Sequence, residues 1–173
     1  MPPSSKNRLL TIVLALSAVS AVTAVYFMRT GGWTRSAGIF GEGPGYRVVD
    51  GDTIEVEDVG PVRYIGIDAP ERDEPYYDEA TAYNAELLSR GELSLAYGAE
   101  PRDRYDRALA YVYVRDGEGR NVFVNWEMVR AGWAKTLEIP PNVRYADNFR
   151  RAENDARRYE RGIWAKGDGV PRE

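Results

Sequence analysis

Between Tyr46 and Asp68, short runs of β-branched and aromatic residues, "YRVVDGDTIEVED" and "PVRYIGID", are interrupted by Asp and Gly. This reads as two or three strands joined by turns, and it commits the front of any folded domain to sheet. "ELSLAYG" and "RALAYVYVRD", the latter closing on the turn signal Asp116-Gly117, add two more strands. Apolar or small residues three and four apart predict helices over Tyr77–Ser89, Val124–Lys135 and Tyr145–Glu160, with Gly91, Gly132 and Gly162 at or near their ends. About five short strands and three helices in one ordinary-sized domain predict an α+β fold, with a small closed β-barrel as the economical arrangement.

Two segments precede that domain. Leu9–Met28 is an uncharged apolar run of 20 residues behind Lys6 and Arg8, long enough to cross a bilayer as a helix. A signal peptide cleaved near Val22-Thr23-Ala24, at about residue 24, also fits the charged front, although an h-region is usually shorter. Both readings place the remainder outside the cytoplasm, as a membrane-anchored or a secreted domain. The glycine-rich stretch from Arg29 to Gly45 reads as a linker. The expected division is therefore 1–28 signal anchor or signal peptide, 29–45 linker, 46–166 folded domain and 167–173 tail.

The chain has no cysteine and no histidine. Zinc sites of the usual kind and Ser-His-Asp or Cys-His machinery are therefore excluded, leaving chemistry to Asp, Glu, Arg, Lys, Tyr, Ser and Thr, and any metal to oxygen ligands. The net charge is −4, and from Tyr46 to Ala165 there are 17 basic against 24 acidic residues. A tight non-specific nucleic-acid binder is normally basic, so a polyanionic partner would have to be held by local arginines.

Cleaving a phosphodiester without histidine requires a hard cation, a carboxylate base and cations that do not titrate. Asp52 and Asp68 at strand ends are suitable small carboxylates, Glu71 after Pro70 is a longer acid on a loop, and Arg63 and Arg107 offer planar forks for phosphate. Each has a structural alternative: Asp50-Gly51-Asp52 is a turn former, "DAPE" an ordinary loop, and the arginines partners of nearby acids. Local pattern alone leaves these alternatives open.

The segments "YRVVDGDTIEV", "VRYIGIDAPE", "DRYDRALAYVYV", "VNWEMVRAGWAK" and "RRAENDARRYERGIW" stand in the order and spacing of the staphylococcal nuclease-like (thermonuclease) family, which the chain resembles from about Tyr46 to Ala165. The resemblance implies a five-stranded OB-type β-barrel with three α-helices and Ca²⁺-dependent endonuclease hydrolysis of DNA and RNA, with Mg²⁺ or Mn²⁺ as less favoured metals. It assigns Asp52 and Asp68 as calcium ligands, with the backbone carbonyl of Ala69 as a third. Glu71 becomes the general base or water-orienting residue. Arg63 and Arg107 become contacts to the scissile phosphate, and Arg104 and Tyr105 the cation and aromatic near a terminal phosphate.

Three departures accompany the match. Ala69 stands where well-known members have threonine, Asp106 replaces a glycine beside Arg107, and the 136–145 loop places Glu138 and Pro140 near positions of nucleotide-packing tyrosines. A catalytically inactive OB-type binding module, or a tethered protein-interaction domain, are the rival readings.

Other prominent residues read as structural. Trp126, Trp133 and Trp164 are expected in the core, and Tyr111 and Tyr113 in a half-buried strand. The run Arg150, Arg151, Arg157, Arg158 and Arg161, interleaved with Glu153, Asp155 and Glu160, is expected on a solvated helix face.

Overall fold

A computed structural model of the chain describes residues 45–165. The expected apolar helix over residues 9–28, all but the last residue of the linker, and the 167–173 tail lie outside the described residues.

The strands β1 (Tyr46–Val48), β2 (Thr53–Val56) and β3 (Gly60–Tyr64) form an antiparallel meander in which Ile54 faces Val62. Alternation works as the pleat requires: Ile54, Val56, Val62 and Tyr64 are buried, and Glu55 between them is exposed. β4 (Ile67–Asp68) is separated from β3 by Gly66, which sits at φ 83°. "PVRYIGID" is thereby cut into two strands. Helix α1 (Tyr77–Leu88) follows, burying Ala80, Asn84, Leu87 and Leu88.

β5 (Gly91–Arg102) and β6 (Ala108–Asp116) pair antiparallel, with the register broken between Tyr97 and Arg102. β6 also pairs parallel with β3, Val62 against Ala108 and Tyr64 against Ala110. β7 (Asn121–Phe123) folds back on β6 across the Asp116 turn and runs directly into α2 (Val124–Arg130).

The helix expected to reach Lys135 stops at Arg130. Gly132 adopts φ 82°, the Trp133 amide bonds back to the Met128 carbonyl at 2.8 Å, and a Cβ on Gly132 would meet the Arg161 carbonyl oxygen at 2.2 Å. This left-handed closure releases Lys135–Thr136 to form β8, antiparallel to β4. Helix α3 (Ala146–Arg158) and a 3₁₀ turn (Gly162–Trp164) complete the described chain.

The fold is thus α+β with three helices. Its main sheet is mixed, in the order β1-β2-β3-β6-β5 with β7 on β6, beside the separate β4–β8 pair. Eight strands stand where about five were expected, and among the described residues no pairing joins β1 to β5 to close the path.

One core lies between sheet and helices, with Val112 and Val114 from β6, Met128 from α2 and Phe149 from α3 among its fully buried side chains. Trp126 and Trp133 pack against this core only in part, while Trp164 is half-buried with the Arg157 guanidinium 3.6 Å from its ring centroid. Tyr111 is buried and Tyr113 stacks on Phe123 with ring centroids 4.7 Å apart, so both serve packing.

Candidate active site

The Asp50-Gly51-Asp52 turn is held from both sides. The Asp50 carboxylate accepts the Asp52 amide at 2.9 Å, and the buried Asn84 side chain donates to the Asp50 carbonyl at 2.8 Å while accepting from the Tyr64 hydroxyl at 3.0 Å. A Cβ on Gly51 would meet the Ala69 Cβ at 2.6 Å, so the turn presses directly against the segment after β4. These contacts aim Asp52 inward, where it is only 6% exposed. Its Oδ2 accepts the Ala69 amide at 2.7 Å and its Oδ1 accepts the Thr53 hydroxyl at 3.1 Å.

Arg63, on β3, brings the two candidate metal ligands together. Its Nη2 lies 2.8 Å from Asp68 Oδ1 and 3.0 Å from Asp52 Oδ2, and its Nη1 donates to the carbonyls of Tyr64 and Ile67 at 2.8 and 2.7 Å. Burial pushes the Asp52 carboxyl up to about 7; Arg63 and the Ala69 amide oppose this, and the neighbouring charges of Asp50 and Asp68 add to it. The carboxylates thus converge on a single positive centre. Asp52, Asp68 and the Ala69 carbonyl would supply hard oxygen, the donor chemistry of Ca²⁺ or Mg²⁺ rather than of a soft metal. Among the described residues, no three Asp or Glu side chains converge as a metal cluster, so the candidate set consists of two carboxylates and a carbonyl.

Glu71 follows Pro70 on the exposed loop between β4 and α1, where its amide donates to the Glu74 carboxylate at 3.0 Å. Only Ala69 and Pro70 separate it from Asp68.

Arg107 is fixed by Asp103, whose Oδ2 accepts from the Arg107 Nε at 2.7 Å and whose Oδ1 accepts the Arg107 and Tyr105 amides at 3.0 and 2.9 Å. Burial alone would raise the Asp103 carboxyl, but these hydrogen bonds outweigh it and hold it below its ordinary value. The Tyr105 ring is 64% exposed, with the Arg104 and Arg107 guanidinium carbons 4.7 and 5.6 Å from its centroid. Asp106, the departure from glycine, occupies φ 63°, a left-handed position where glycine costs nothing and Asp is among the better tolerated side chains.

Arg63, Arg104, Tyr105 and Arg107 line one cleft of about 540 Å³, part of whose wall is aliphatic: Leu137, Ile139, Pro140 and Pro141. That wall is clasped to β5 by Asn142, which accepts the Glu100 amide at 3.0 Å and donates to the Glu100 carbonyl at 2.8 Å.

Several residues that build this arrangement were not singled out in the sequence. Asn84 and Asn125 are polar residues on buried helical stripes, Asn84 with Ala80, Leu87 and Leu88, and Asn125 with Met128 and Val129; a polar residue on an apolar face is the signal that marks them. Asn125 accepts the Val112 amide at 2.8 Å and donates to the Ile65 carbonyl at 2.9 Å, bridging β6 and the end of β3. Glu153, expected on a solvated face, is instead buried, because it accepts the Thr136 amide at 2.8 Å and the Thr136 hydroxyl across from α3 to β8.

The sequence profile described as "Staphylococcal nuclease homologue" matches residues 61–166, a span that contains every candidate residue except Asp52. The thermonuclease of Staphylococcus hyicus is 30% identical over 172 residues, covering 92% of this chain and 99% of that protein. Two proteins of Bacillus subtilis (strain 168) are also similar over 72% of this chain: the SPbeta prophage-derived endonuclease YokF at 38% identity and the endonuclease YncB at 37%. The chain spans 44% of YokF and 62% of YncB. With a profile match over more than half its length and a relative aligned almost end to end, the chain belongs to the staphylococcal nuclease homologue family.

Proposed function

We propose that the protein is a Ca²⁺-dependent nuclease that hydrolyses phosphodiester bonds of DNA or RNA by in-line attack of water. The observation that carries this reading is the junction of a two-carboxylate centre, Asp52 and Asp68, with an arginine-lined cleft through Arg63, which touches both carboxylates and lines the cleft. Held by Asp52, Asp68 and the Ala69 carbonyl, the cation would supply Lewis-acid polarisation of the phosphate and activation of water.

The chain's own side chains supply the remainder. Glu71 takes the proton from the attacking water. The forks of Arg63 and Arg107 hold two phosphate oxygens and neutralise charge that develops during displacement. Arg104 and Tyr105 hold a neighbouring phosphate, and the aliphatic wall gives a base a surface to rest on. The apolar run Leu9–Met28 supports export, with the domain anchored outside the cytoplasm or released.

A second reading, a binding module without turnover, is favoured by one observation: four contacts already hold the Arg63 guanidinium within the protein. Digestion of labelled single-stranded DNA and RNA in millimolar Ca²⁺, with Glu71→Ala beside wild type, separates the two. The nuclease reading expects cleavage that chelator abolishes and a loss of at least about 100-fold in kcat for the variant, in keeping with a general base. Binding without cleavage by wild type would establish the module, and absence of both would refute nucleic acid as the partner.

A further inference from the structure

Arg102, at the end of β5, lines the same cleft as Arg63, Arg104 and Arg107, and nothing in the reading above uses it. The cleft lining carries four arginines against two acids, Glu100 and Asp103, while the surrounding domain carries an excess of acid. Three of the four are already paired, Arg63 with Asp52 and Asp68, Arg107 with Asp103 and Arg102 with Asp106, and of these pairs only Arg102–Asp106 has both side chains more than half exposed.

The position of Arg102 follows from register. Ala108 on β6 pairs with Val62 on β3 on one side and with Arg102 on β5 on the other, so Arg102 lies two strands away from the Val62–Arg63 segment. Two strand spacings put the backbones about 10 Å apart. Neighbouring phosphates of a strand are separated by more than their axial rise of about 3.4 Å, and backbones about 10 Å apart can present long arginine side chains to different phosphates of it.

The state of the side chain points the same way. Arg102 is 52% exposed, and its Nη1 donates to the Asp106 carbonyl at 2.7 Å and lies 3.2 Å from the Asp106 carboxylate, which is itself 86% exposed. An exposed pair of this kind holds weakly, and a phosphate can take the place of its carboxylate. Asp106 is thus a removable counter-charge, positioned by the left-handed turn that separates Arg102 from Arg107.

We propose that Arg102 is a further substrate-binding residue: it holds a phosphate of the strand other than the scissile one, and Asp106 occupies it until that phosphate arrives. The proposal rests on the nuclease reading and extends it from a dinucleotide to a longer strand.

The test compares wild type, Arg102→Ala and Asp106→Asn on an eight-nucleotide single-stranded DNA and on a dinucleotide, in Ca²⁺ over a range of salt. Asn tolerates the left-handed turn, so Asp106→Asn changes charge and little else. For Arg102→Ala, KM for the long strand is expected to rise about 3- to 10-fold more than KM for the dinucleotide, with the slope of log KM against log salt shallower by about 0.7, the value for one contact to a single strand. For Asp106→Asn, KM for the long strand is expected to fall. If wild type cleaves both substrates while Arg102→Ala shifts their KM values equally or leaves the salt slope as it was, the assignment to Arg102 is overturned and the nuclease reading stands. If wild type neither binds nor cleaves either substrate, both fall together.

Discussion

Replacing Glu153 with alanine is expected to destabilise the protein by about 2–4 kcal/mol, a figure that follows from what its carboxylate holds. The residue is 7% exposed and joins α3 to β8: Oε2 accepts the Thr136 amide and hydroxyl, and Oε1 accepts two nitrogens of Arg157. In the variant the two Thr136 donors lose their partner at a part-buried position, at about 1–3 kcal/mol for each group left unsatisfied. Water entering the vacated space offsets some of this, and Arg157, whose side chain is 52% exposed, resolvates at little cost.

The effect has a pH signature. Burial would raise the Glu153 carboxyl, but bonds from Thr136 and Arg157 outweigh it and hold the carboxyl below the ordinary glutamate value of 4.5. A depressed carboxylate contributes stability above its unfolded value and loses it as pH falls through the folded one. The difference between wild type and variant, measured by urea unfolding, is therefore expected in full at pH 7 and should shrink as pH drops below that ordinary value. A loss under about 0.5 kcal/mol at pH 7, the level of an ordinary surface substitution, would refute the view that Glu153 pins β8. A difference that persists unchanged into acid would refute the electrostatic account.

Gly66→Ala tests the turn between β3 and β4. It forces a side chain into φ 83° with its Cβ 2.4 Å from the Phe149 ring, so urea unfolding is expected to show a loss of about 2–4 kcal/mol. Millimolar Ca²⁺ is expected to raise the melting temperature of wild type, by the linkage between binding and folding, and to do so far less for Asp52→Asn; equal Ca²⁺ shifts in the two would remove Asp52 from the ligand set.

The helices illustrate what is local in this chain. Tyr77–Leu88 and Ala146–Arg158 lie within two residues of the ranges expected from apolar spacing, because burying one face is a property of the segment itself. Val124–Lys135 ends early at a signal that is itself local: Gly132 turns left-handed and the Trp133 amide closes on the Met128 carbonyl, while the Arg161 carbonyl, 29 residues away in sequence, bars any side chain at that position. The strand count misleads for a non-local reason, since β4 and β8 are two-residue pieces that exist only because they pair with each other.

The sequence by itself determined the α+β class, the absence of histidine and cysteine chemistry, and, through ordered motifs, the family and the short list of Asp52, Arg63, Asp68, Glu71 and Arg107. Only tertiary structure decided how those residues meet. It places Arg63 between two carboxylates that are 16 residues apart in the chain, ties Arg107 to Asp103, buries Glu153, and aligns Arg102 with the same cleft. The physical reason is that residue type and period act within a few residues, while charge pairing and burial depend on strand register, which brings distant segments within hydrogen-bond reach.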